Sequence, residues 1–131
     1  MLKTIKEMLP GEALDSLVAK TVFGFRKIKV RQLKTKPTRR FAFKARWVSI
    51  WVDDNNTQLD LPKFSTDVIM AHHIIDSVNI SVVMKKTVKG KYSTKFGKFS
   101  TIQADSMPES VCKAALIAFY EEEQEDKENQ A

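Results

Sequence analysis

A chain of 131 residues with 43% hydrophobic and 29% charged content has the size and makeup of one folded domain around a single core, and no apolar run approaches the roughly 20 residues that a membrane-crossing helix needs. Its formal net charge of +6 favours anionic partners. The single cysteine, Cys112, excludes an intramolecular disulfide, and residues 1–8 include Glu7 and lack a continuous apolar stretch, so neither a secretory signal nor an oxidising compartment is expected.

In chain order, Pro10-Gly11 precedes a helix expected at about 12–23, where Leu14, Leu17, Val18, Thr21 and Val22 recur at three-to-four spacing and Gly24 suits the left-handed position past the end. Phe25 to Gln32, where Ile28 and Val30 alternate with Lys27, Lys29 and Arg31, reads as a strand. So does Phe41 to Val52, rich in bulky and β-branched residues. The basic segment 34–40, interrupted by Pro37, is the loop between them. Asp53-Asp54-Asn55-Asn56 ends the second strand, because Asx side chains mimic backbone turns. A second helix is expected to be capped by Ser65 or Thr66, with Asp67 favourable to its dipole and with Val68, Ala71, Ile74, Ile75 and Val78 as its buried stripe. Ile80 to Val88 and Tyr92 to Ile102 read as strands around a Lys89-Gly90-Lys91 turn, with a bulge at Gly97.

Ser106-Met107-Pro108-Glu109 matches a capping box that opens the last helix, in which Val111, Cys112, Ala115, Leu116 and Phe119 form one apolar face. The order α-β-β-α-β-β-α makes an α+β sandwich with a mainly antiparallel sheet the economical architecture. Residues 1–120 are expected as a single domain. Residues 121–131, with six acids against one lysine, are expected as a partly disordered acidic tail whose early part prolongs the helix.

Charge is unevenly spread. Residues 1–99 hold 20 Lys/Arg against 8 Asp/Glu, a net of +12, whereas residues 121–131 carry a net of −5. Nine cations lie between Lys27 and Arg46, and Lys85, Lys86, Lys89, Lys91, Lys95 and Lys98 decorate the second strand pair, a field that attracts phosphates regardless of base sequence. Phe41, Phe43 and Trp47 lie among Arg39, Arg40, Lys44 and Arg46, and Tyr92 and Phe96 among Lys91 and Lys95. That interleaving suits stacking on bases while cations hold phosphates. The plainer explanation is strand alternation, with aromatics in the core and cations in water; both stay open.

Catalytic and metal constellations are poor. His72 and His73 lie about 100° apart on a helix and cannot share one ligand, which leaves one exposed and the other half-buried. There is no spaced Cys/His set, Walker loop, dinucleotide glycine pattern or nucleophile elbow. Cys112 reads as core packing. Neither enzyme activity nor a cofactor nor a metal is expected.

Three phrases occur in order: Leu14-Asp15-Ser16-Leu17-Val18-Ala19 with Val22-Phe23-Gly24-Phe25, then Phe64-Ser65-Thr66-Asp67 before a helix, then Ser110-Val111-Cys112-Lys113-Ala114-Ala115-Leu116. Over about residues 12–120 the chain resembles the phage ABA-sandwich domain, a small α-β-α fold encoded by phages and prophages. Within or close to that family are the Thoeris anti-defence sponges, oligomeric proteins that trap a cyclic ADP-ribose immune signal without degrading it. The resemblance implies a homo-oligomer in the cytoplasm of the infected bacterial host that sequesters a cyclic nucleotide or cyclic ADP-ribose signal. Under it the candidate ligand contacts are Arg46, Trp47, Phe64, Ser65, Thr66, Tyr92, Lys95 and Lys113, with Ser65 and Thr66 offering a helix N-terminus to an anion. The alternatives are a phage accessory protein that binds nucleic acid or a host protein through the basic strands, and an interaction protein with no nucleotide ligand.

Overall fold

The computed structural model describes residues 2–33 and 45–129. Their elements run α1 (Leu2–Glu7), α2 (Glu12–Thr21), β1 (Arg26–Leu33), β2 (Ala45–Val52), β3 (Gln58–Leu59), α3 (Val68–Ser77), β4 (Val82–Lys86), β5 (Tyr92–Phe96), β6 (Ile102–Ala104) and α4 (Met107–Asn129). The class is α+β, and every described strand pair is antiparallel. The segment 34–44, which holds the expected basic loop and Phe41, Phe43 and Lys44, lies outside the described residues. The contacts divide the chain into two compact units, Phe25–Asp60 and the remainder, Met1–Gly24 with Leu61–Ala131.

The Phe25–Asp60 unit is a three-stranded sheet in the order β1-β2-β3. The turn between β2 and β3 is built as the Asx cluster requires: the Asp53 carboxylate accepts from the backbone N–H groups of Asn55 and Thr57, both at 2.9 Å. Asn56 takes a left-handed φ of 62° and its side chain accepts from the Arg26 guanidinium, which ties the turn to the start of β1.

In the larger unit α4 is the central element. It packs against β5 and β6 on one side and against α1, α2 and α3 elsewhere, so Val111 to Ala118 are buried in an unbroken run where sequence periodicity marked only one apolar face. The sheet of this unit has the order β4-β5-β6. Phe96, Thr94, Ile102 and Ala104, all on one face of it, are buried.

Several local expectations are revised. The short helix α1 precedes the first expected one and buries Ile5 to 3% exposure. The N-cap of α3 is Asp67, whose carboxylate accepts from the Ile69 N–H at 2.9 Å, because Ser65 is committed elsewhere. Val68 is exposed and drops out of the buried stripe, and both His72 and His73 are exposed. The strand expected from Tyr92 to Ile102 breaks in two. Gly97, at φ 54°, forms a turn there instead of a bulge, closed by Phe99 N–H donating to Phe96 C=O at 3.0 Å. The turn expected at Lys89-Gly90-Lys91 forms with Gly90 at φ 82°, but it closes from Thr87 to Lys91, so β4 ends at Lys86 and not at Val88. Helix α4 continues through the acidic segment to Asn129, where Glu121 accepts from the Ser100 hydroxyl and backbone N–H and Glu125 from Lys98 at 2.6 Å.

Candidate functional site

The antiparallel register of β1 and β2 decides which side chains share a face. Lys27 lies opposite Trp51, Lys29 opposite Ser49 and Arg31 opposite Trp47, and directly paired residues project to the same side. Lys27, Lys29, Arg31, Trp47 and Ser49 are all exposed, Trp47 to 69%, while Trp51 is buried. The other face carries Ile28, Val30, Val48 and Ile50, each half-buried, with buried Val52. Alternation therefore sends the cations of β1 into water as the plainer explanation holds, but it sends an indole out beside them. The cations step along β1 every two residues, about 6.8 Å, twice the 3.4 Å axial rise between phosphates of one stacked strand. Lys27, Lys29 and Arg31 make no ion pair among the described residues. Arg46 lies on β2 opposite Gln32; its side chain lies outside the described residues.

In the larger unit, Tyr92 and Lys95 are three residues apart on β5 and so occupy opposite faces of the sheet. Tyr92 is half-buried on the face that meets α4, and the Lys86 ammonium of the neighbouring strand stands 5.7 Å from its ring centroid. A cavity of about 230 Å³ opens here, lined by Met84, Lys85, Lys86, Tyr92, Ser93, Thr94, Met107 and Ser110. At its floor Ser110 Oγ donates to the Met107 carbonyl at 2.9 Å, so the 2.9 Å contact between Thr94 Oγ1 and Ser110 Oγ has Thr94 as donor. Lys95, paired with Val83, is exposed on the outer face.

The first and second of the three sequence phrases meet inside this unit, through Asp15 with Ser65 and Phe23 with Phe64. Asp15, 4% exposed, accepts from both the backbone N–H of Ser65 at 2.7 Å and its hydroxyl at 2.6 Å. Ser65, 1% exposed, also accepts from the Gly11 N–H at 2.9 Å. Phe64 is buried and stacks on Phe23 with ring centroids 4.9 Å apart. Lys113, 5% exposed, donates to the Glu109 carboxylate at 3.1 Å and to the Lys6 carbonyl at 3.0 Å, which gives the last turn of α1 a cationic cap. Thr66 is exposed beside the α3 N-cap. Of the eight candidate contacts, then, Phe64, Ser65 and Lys113 have internal partners, while Trp47, Thr66 and Lys95 present side chains to solvent.

Cys112 is fully buried in α4. Burial first, and then the Asp15 and Glu109 carboxylates, push its thiol well above the usual cysteine range, which makes it a packing residue. No group of His, Cys, Asp and Glu that could hold a metal occurs among the described residues, and no helix among them is long and apolar enough to cross a membrane.

Lys27, Lys29, Arg31 and Lys86 stand outside the eight candidate contacts, although each is a cation of the basic strands. The two-residue spacing of Lys27, Lys29 and Arg31 is visible in the sequence, but the aromatic residues opposite Arg31 and Lys86, Trp47 and Tyr92, lie on other strands and are assigned only by register. Asp15 was legible as part of a phrase, though not as the acceptor for Ser65.

No protein-family model matches the chain, and no curated protein matches it. Among solved structures, a phage protein from Bacillus cereus ATCC 14579, known from a 2.0 Å crystal structure, shares the fold with a TM-score of 0.59. The two are 22% identical, and the match covers 85% of this chain and 92% of that one.

Proposed function

We propose that this is a non-catalytic binding protein whose Phe25–Asp60 unit holds single-stranded nucleic acid. The observation that carries this reading is the β1–β2 register, which sets Lys27, Lys29 and Arg31 in a row beside the exposed indole of Trp47. A base stacks on the indole while the cations hold phosphates, and no base edge is read. The fold shared with a Bacillus cereus phage protein supports a phage origin and a role inside the infected host cell.

The test is fluorescence anisotropy of a labelled single-stranded oligonucleotide against salt. Three phosphate contacts give a slope of log K on log salt of about −2, at about −0.7 per contact, and Lys29→Ala brings it to about −1.4. Trp47→Ala costs about 1–3 kcal/mol. Absence of binding at low salt, or binding unaffected by both substitutions, refutes the reading.

A second reading is capture of a cyclic nucleotide or cyclic ADP-ribose signal without cleavage, in line with the sponge resemblance. It is favoured by the Tyr92 cavity, where a base would lie near the ring with phosphate at Lys86. Its volume, below the roughly 300–1,000 Å³ of ordinary small-molecule sites, puts it second. Saturable thermal stabilisation by one compound of a cyclic-nucleotide panel, abolished by Tyr92→Ala and with the compound recovered intact, would place it first.

A further inference from the structure

The larger unit is electrically polarised along α4. At the start of that helix the β4–β5 hairpin projects, with Lys91 paired to Asp105 at 3.3 Å just before α4 begins. At the hairpin tip Val88 is fully exposed, and Lys85, Lys86 and Lys89 around it make no ion pair among the described residues. Toward the far end of α4 a groove of about 380 Å³ opens between α1, α2 and α4. Ile5, Leu17, Leu116 and Phe119 supply its apolar walls, and Glu122, Glu123 and Asp126 stand along one edge. The acids of α4 divide by face: Glu121 and Glu125 turn to Ser100 and Lys98, whereas Glu122, Glu123 and Asp126 make no ion pair among the described residues.

The tip and the groove are complementary in kind, an apolar knob among lysines and an apolar trough edged by carboxylates. They cannot meet within one chain. The turn-side end of the hairpin, at Lys86 and Tyr92, adjoins Met107, Phe119 lies twelve residues further on, about 18 Å along the helix, and the hairpin points away from it, since the opposite end of the sheet is the one held at Glu121 and Glu125. We infer that the Val88 hairpin tip of one copy seats in the α1–α2–α4 groove of another, giving a heterologous, head-to-tail contact in which each copy has one free knob and one free groove. The inference is independent of the nucleic-acid reading, which uses the other unit.

The test is sedimentation velocity of the full chain with two surface variants, Val88→Glu at the knob and Glu122→Lys/Glu123→Lys at the groove, each first shown to melt like the parent. The parent is expected to exceed the 15.0 kDa of a single chain at low salt, with less assembly as salt rises. Each variant alone stays monomeric. Mixed in equal amounts they form a heterodimer and nothing larger, because one intact knob and one intact groove remain. A parent that stays monomeric at high concentration and low salt overturns the inference. So do variants that assemble like the parent, or a mixture that stays monomeric.

Discussion

Asp15→Ala tests whether the Asp15 and Ser65 segments act as an internal clamp. One carboxylate oxygen accepts both the N–H and the hydroxyl of Ser65, with Asp15 4% and Ser65 1% exposed, so water cannot replace either bond. A hydrogen bond to a charged group contributes about 1.5–3 kcal/mol. The substitution orphans the Ser65 N–H outright, while the hydroxyl retains the Gly11 carbonyl at 3.4 Å as a poor acceptor. The sum is a loss of about 3–4 kcal/mol. Ser65→Ala keeps the backbone bond to Asp15 and leaves the Gly11 N–H without its 2.9 Å partner, for a loss of about 2 kcal/mol. The double variant should cost less than the sum by about 1–2 kcal/mol, because the singles remove one bond in common. Urea unfolding followed by far-UV circular dichroism reads these values, since every described helix lies in the larger unit. At an m-value of about 1.5 kcal/mol/M, Asp15→Ala moves the midpoint down by roughly 2 M. A loss below about 1 kcal/mol, or single-variant losses that simply add, refutes the clamp.

Gly97→Ala would hold a side chain at φ 54° with its Cβ 2.6 Å from Ile80 Cγ2; a loss of about 2 kcal/mol in the same urea assay is expected. Cys112 should resist iodoacetamide in the native protein and react once urea unfolds it, as read by mass spectrometry. Because its thiol titrates higher in the folded chain than in the unfolded one, the folded state holds the proton longer. Stability from this group is complete below the unfolded value of about 8.5 and falls above it by up to about 1.4 kcal/mol per pH unit. Cys112→Ala should lack that part of the alkaline loss.

The local grammar of the chain was written in its sequence. Hydrophobic spacing placed α2, α3 and α4, the Asx cluster placed the Asp53–Asn56 turn, and Thr87–Lys91 closed where Gly90 allowed it, because each depends on residues within a few positions of one another. Side-chain meaning was a different matter. Whether Phe64, Ser65 and Lys113 face a ligand or the core is decided by Phe23, Asp15 and Lys6, which lie 41, 50 and 107 positions away in the chain. Whether Trp47 stands beside a cation depends on a pairing register between β1 and β2, since a slip of one residue would turn every side chain of a strand to the other face. Composition fixed that the protein carries a basic body and an acidic end; only the packing of α4 divided those acids between the sheet and an open groove.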